Sequence, residues 1–184
     1  MKRFSISLVI IALLIFNVKT YSQSYTLDKS NSKITVSGTS SLHDWDIISK
    51  DFNATVLFNE FETVQIKSLS VIIDSESLKS GKSAMDKKTY KALQTDDFKS
   101  LTFKMVEIKS SKKIDEASFE IELIGDMKIC GVSKRIPINF LLSKIDNGFN
   151  ITGSTVMKMT NFNIEPPTAL LGTIKTGDHI SIKF

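Results

Sequence analysis

One cysteine, Cys130, occurs in 184 residues, so an internal disulfide is excluded and the fold must stand on packing alone. Cys130 reads as a small side chain at a strand end rather than as a reactive thiol. Histidine is nearly as scarce: His43 and His179 lie on distant segments, which argues against a histidine-based metal centre. Catalytic signatures are missing as well. There is no Gly-x-Ser-x-Gly elbow, no His-Glu-x-x-His, no Cys-x-x-Cys and no glycine-rich phosphate loop. Internal repeats, low-complexity tracts and interdomain linkers are also lacking.

No apolar run reaches the roughly 20 residues that a membrane-spanning helix needs. The longest, Phe4 to Phe16, follows Lys2 and Arg3 and gives way to polar residues at Asn17 and a small residue at Ser22. That order describes a secretory signal peptide over residues 1–22, cut at Ser22/Gln23, with an uncleaved anchor as the alternative. The protein is then periplasmic or secreted. No cysteine stands directly after the apolar run, so lipid attachment to a new N-terminal cysteine is not expected.

Excess charge is lacking too. The formal net charge is +4, from 24 basic and 20 acidic residues, and residues 1–22 hold Lys2, Arg3 and Lys19 but no acid; 24 − 3 = 21 basic against 20 acidic residues leaves +1. A nearly neutral domain gives no electrostatic argument for nucleic acid. The remaining 184 − 22 = 162 residues make one domain, 23–184, long enough for a real core.

What is present is alternation. From Phe119 through Ile121, Leu123, Met127 and Ile129, apolar residues face one way while Glu120, Glu122, Asp126 and Lys128 face the other. The pattern resumes at Ile136, Ile138, Phe140 and Leu142 after a break at Gly131-Val132-Ser133. Two long alternating runs around a glycine-containing turn predict a hairpin. Further strands are predicted at Tyr25–Asp28, Lys33–Gly38, Asp51–Phe58, Val64–Asp74, from Leu101, over Phe149–Met159 and at Ile180–Phe184. A parity change near Lys67-Ser68 predicts a bulge, and another change comes at Val106. Lys112-Lys113 reads as a hairpin turn, and Pro137 as lying at a bulge or edge.

Ser83–Gln94 breaks the pattern and predicts a helix, with Ser83 and Asp86 as a capping box. Pro166-Pro167 make Phe162–Pro167 a loop, placed at the mouth. About eight long strands and one short helix predict an all-β fold, an extended antiparallel barrel of a size that holds one small ligand.

Several blocks in order resemble the YceI-like family of secreted bacterial proteins. They are Val71–Gly81 (VIIDSESLKSG), Met85-Asp86, Asp97–Phe103 (DFKSLTF) and Gly125–Lys134 (GDMKICGVSK). Ser100 and Cys130 depart from the family's commoner pattern, which has proline and a polar residue there. The resemblance implies a lipocalin-like barrel that binds a polyisoprenoid or related amphiphile inside it.

The inward candidates for that ligand are Phe52, Val56, Phe58, Val71, Ile73, Leu101, Phe103, Phe119, Ile121, Ile138 and Phe140, each of which simple core packing would also explain. His43, Trp45 and Phe162 are the candidates at the mouth or polar end, Trp45 offering a large apolar wall with one donor. The predicted function is a non-enzymatic carrier of an isoprenoid quinone, polyprenyl phosphate or fatty-acid derivative, needing no cofactor. It would touch a membrane transiently, as a monomer or homodimer. The alternatives are a hydrolase or isomerase using His43 with Asp44 or Asp46, and a structural or stress-response surface protein whose sheet is a solid sandwich.

Overall fold

The computed structural model describes residues 23–184. The signal-peptide reading of residues 1–22 lies outside them. The chain forms one antiparallel sheet of β1 (Gln23–Thr26), β2 (Ile34–Ser40), β3 (Trp45–Ser49), β4 (Phe52–Glu60), β5 (Gln65–Asp74), β6 (Ser100–Lys113), β7 (Ser118–Ile129), β8 (Val132–Ile145), β9 (Gly148–Lys158), β10 (Thr168–Ala169) and β11 (Ile174–Lys183). Helix α1 (Ser83–Leu93) separates β5 from β6. The eleven strands exceed the nine runs predicted individually because β3 and the two-residue β10 carry too little alternation to be seen.

The ladder runs β1-β4-β5-β6-β7-β8-β9-β11-β2-β3, with β10 added to β11, and curls into a half-barrel. Its two ends belong to one bent hairpin: β1 pairs with β4, while β2 pairs with β3. The chain passes from β3 to β4 through Lys50 and Asp51, so the backbone itself carries the sheet across the gap between its ends.

Bulges supply the curl, as the parity changes predict. Leu57 faces Ser68 and Phe58 faces Ile66, leaving Lys67 unpaired. In β6, Val106 and Lys109 are the extra residues. The long β7–β8 hairpin turns at Cys130-Gly131, with φ of 48° and 75° and Ile129 opposite Val132, one residue earlier than predicted. Two consecutive left-handed residues match the right-handed strand twist, and glycine takes the second without strain. Pro137 pairs with Ile124 of β7, before β8 begins to pair with β9 at Phe140, so its missing donor costs no ladder bond.

Two local expectations fail. Lys112 and Lys113 stay in the ladder opposite Glu120 and Phe119. The turn comes later because Asp115 Oδ1 accepts from the backbone N–H of Ala117 and of Ser118, both at 2.8 Å. At α1 the N-cap is Lys82, without a side-chain cap bond. The Asp86 carboxylate instead accepts from Ser80 N–H at 2.7 Å and Ser80 Oγ–H at 2.5 Å, fastening the helix to the segment that precedes it.

Those two bonds hold the Asp86 carboxyl below its ordinary range, Lys79 adding to the effect. Its stabilisation is complete above the unfolded carboxylate pKa and is lost as pH falls through the lower folded value. Asp86→Asn therefore flattens the acid side of the stability–pH profile, which thermal melts from pH 2 to pH 6 would show, the window being about that of ordinary carboxylates.

Candidate functional site

The inward faces of the strands fall into three zones. At one end Val56, Phe58, Val64, Ile66, Leu69, Phe119, Ile121, Leu123, Ile138, Phe140 and Leu142 form a buried cluster with Phe103. Tyr25, Phe58, Phe61 and Phe149 fill it with ring-to-ring contacts, centroids 5.0–6.1 Å apart. Lys144 shares the inward parity of Leu142, yet its ammonium donates to Glu62 O at 2.6 Å and ion-pairs with Glu62 Oε2 at 3.0 Å. The same ammonium lies 5.3 Å and 5.6 Å from the ring centroids of Phe61 and Phe119, so a paired cation covers this apolar plug.

At the other end Ile129, Cys130, Met157, Met159, Phe162 and Ile164 form a second buried cluster, against which Ala92, Leu93 and Phe98 pack. Asp178 accepts from Thr160 N–H at 2.9 Å and Thr160 Oγ1–H at 2.7 Å, tying the short 3₁₀ turn Met159–Phe162 to β11. The Cys130 thiol donates to Leu93 O at 3.2 Å, and burial pushes its pKa up. Both keep it a packing group rather than a nucleophile.

Between the clusters lies a band of inward apolar residues that are only half-buried. Val36, Ala54, Val71, Ile73, Leu101, Met105, Met127, Ile136, Ile151, Ile180, Ile182 and Phe184 all retain accessible surface. Phe103 is the buried exception inside this band, its ring lying over Gly125, and the accessible surface of its neighbours marks a stretch packed less tightly than either cluster. Met127 and Ile136 touch both clusters and form the join between them.

The open edge of β3 faces the segment between β5 and α1. One bridge spans this seam, Ile48 N–H to Lys79 O at 2.8 Å and Lys79 N–H to Ile48 O at 2.9 Å. Ser49 Oγ and Ser77 Oγ meet at 2.7 Å beside it. Two clefts follow the seam. One, of about 430 Å³, is lined by His43, Asp44, Trp45, Asp46, Ser80, Lys82 and Met85. The other, of about 620 Å³, is lined by Ile48, Lys50, Asp51, Asp74, Glu76, Ser77 and Lys79.

Trp45 sits where the first cleft meets the inward face. It pairs with Gly38, where a Cβ would come within 2.2 Å of Trp45 Cζ2, so the indole lies on bare backbone. Its Nε1–H donates to Thr39 O at 3.0 Å. The β2–β3 turn is fixed by Ser40 Oγ, which accepts from His43 N–H at 3.1 Å and donates to His43 O at 2.7 Å. His43 is exposed, and its Nδ1 lies 2.7 Å from Asp44 O, a backbone carbonyl rather than a carboxylate. Among the described residues no group of three or more His, Cys, Asp or Glu is placed to hold a metal ion.

The candidates chosen from the sequence are therefore distributed. Phe52, Val56, Phe58, Phe103, Phe119, Ile121, Ile138 and Phe140 are buried. Val71, Ile73 and Leu101 belong to the half-buried band. His43 and Trp45 come together in the first cleft, whereas Phe162 is buried in the second cluster. The other nine members of the band, Val36, Ala54 and Ile151 among them, join it although the sequence reading does not select them. Their alternation was visible; their position between two packed clusters was not.

A model of the YceI-like domain matches residues 25–184. No curated protein sequence matches significantly. Among solved structures, Burkholderia cenocepacia BcnA is 18% identical, with a TM-score of 0.66 over 86% of this chain and 96% of that one. A polyisoprenoid binding domain from Saccharophagus degradans is 10% identical, with a TM-score of 0.69 over 89% and 96%. The Campylobacter jejuni YCEI protein is 21% identical, with a TM-score of 0.57 over 74% and 79%. At these identities the structural likeness speaks for the fold, while the domain match covers all but the first two residues of the described sheet, and on that match the chain belongs to the YceI-like family.

Proposed function

We propose that this protein is a non-enzymatic carrier that holds the hydrocarbon tail of an isoprenoid quinone, polyprenyl phosphate or related amphiphile along the half-buried band. The observation that carries this reading is the band itself: twelve inward apolar side chains keep accessible surface between two packed clusters. Burying a tail there releases about 0.8 kcal/mol per methylene, so a few isoprene units outweigh the cost of ordering them. The head group would rest in the His43–Trp45 cleft, where an imidazole, Lys82 and two carboxylates offer polar partners. The polyisoprenoid binding domain with the same fold supports this class of ligand.

The function is placed in the periplasm or outside the cell, on the reading of residues 1–22 as a signal peptide; the mass of the mature chain should then correspond to a start at Gln23. An acid–base enzyme receives less support, because the His43 ring bonds to a carbonyl rather than to Asp44 or Asp46 carboxylate oxygens.

Native mass spectrometry of protein purified from its own host, followed by lipid extraction, tests the proposal. A retained prenyl lipid is the expected result. Bare protein that takes up no added prenyl lipid would defeat it.

A further inference from the structure

Three leucines stand at turn tips where packing gives no reason for them. Leu42 lies in the β2–β3 turn and is 65% exposed; Leu170 and Leu171 lie in the β10–β11 turn and are 72% and 109% exposed. Leu170 and Leu171 have φ of 48° and 55°, a left-handed backbone that favours glycine or asparagine. Leucine there carries backbone strain and apolar exposure together, a combination with no folding benefit.

The two turns are neighbours. Ser40 pairs with Thr176, Ser41 N–H donates to Lys175 O at 2.9 Å, and Lys175 N–H donates to Ser41 Oγ at 3.1 Å. Lys175 also pairs with Thr168 at the base of the second turn. The tips thus project side by side from one end of the sheet, one residue away from His43 of the first cleft.

Two cations lie beside them. Lys175 stands between the turns, and Lys88 of α1 donates to Thr168 O at 2.6 Å. Lys87 and Lys91 are exposed on the same helix. The acids at this end are Asp44, Asp46, Asp86, Glu165 and Asp178, of which Asp86 is engaged by Ser80 and Asp178 by Thr160. An apolar tip with lysines at its base matches the boundary of a bilayer, where acyl chains lie beneath phosphate groups.

We propose that the Leu42, Leu170 and Leu171 tips dock on an anionic lipid bilayer and bring the His43–Trp45 cleft to the membrane surface. This rests on the carrier reading, since docking at the cleft serves loading.

The test is local. Cys130 is buried, so Leu171→Cys labels selectively with an environment-sensitive dye; Asp146→Cys, in the β8–β9 turn at the far end, gives the control. Vesicles of phosphatidylglycerol and phosphatidylcholine in equal parts should shift the dye emission to the blue at 171 and not at 146. Pure phosphatidylcholine or raised salt should weaken the response. Adding Leu42→Ser and Leu170→Ser should raise the vesicle concentration needed by at least about tenfold. An absent shift at 171, an equal shift at 146, or indifference to the serine substitutions would overturn the proposal. A shift without vesicles that grows with protein concentration would also overturn it, assigning the tip to a second copy of the chain. Uptake of a prenyl alcohol from free solution separates the two readings: if the unaltered chain takes it up, only docking has failed, and if it does not, the carrier reading fails whatever the vesicles do.

Discussion

Replacing Phe58 by alanine should lower the folding stability by about 4 kcal/mol, a loss at the upper range for a buried aromatic. Phe58 is fully buried and meets the rings of Tyr25, Phe61 and Phe149 at centroid distances of 5.7, 5.2 and 5.2 Å. Three such contacts each add about 0.5–1.5 kcal/mol beyond burial. The surrounding ladder cannot collapse inward, because Phe58 lies beside the Lys67 bulge, whose register is held by the pairs on either side. For a domain of this size about 2–4 °C of melting temperature accompanies each kcal/mol, so a drop of roughly 10–15 °C is expected. Phe58→Leu should recover much of it. A loss below about 1 kcal/mol in denaturant titration would mean that this end of the half-barrel is not tightly packed.

The second large effect concerns binding. Val71→Trp should reduce prenyl-lipid affinity about a hundredfold while leaving the fold almost as stable as before. Val71 is half-buried on β5, between Ala54 of β4 and Phe103 of β6. An indole there occupies room that three or four methylenes of a tail would otherwise take, each worth about 0.8 kcal/mol, which is close to two powers of ten in affinity. If the band were already filled, the same substitution would overpack it and cost about 1–3 kcal/mol of stability. Melting temperature and lipid titration on one variant therefore separate an unfilled interior from a solid one.

Much of this architecture is legible in the sequence, for reasons tied to particular residues. Strict alternation from Phe119 to Leu142 fixes the longest hairpin and its inward face, and the parity change in β5 locates its bulge at Lys67. Strand β3 escapes notice because Ile47 and Ile48 are adjacent apolar residues and spoil the period, although only Ile47 is buried. The helix cap is missed for a different reason. Asp86 has an equally good partner in Ser80, outside the helix, and local spacing does not tell which donor wins. The candidate site is half legible. Parity tells which side chains point inward, but Val56 and Val71, both inward on adjacent strands, differ in burial. What separates them is nearness to the aromatic cluster, a fact about the opposite wall that no local pattern encodes.

The cluster of Tyr25, Phe58, Phe61 and Phe149 beneath Lys144 has one more consequence. On the carrier reading, an interior stoppered at its foot would act as a gauge: a guest would enter tail first, and the distance from the Trp45 indole to the first aromatic ring would set how many carbons it could hide. Guests with longer chains would leave their surplus at the rim, so selection would follow chain length rather than the chemistry of the head.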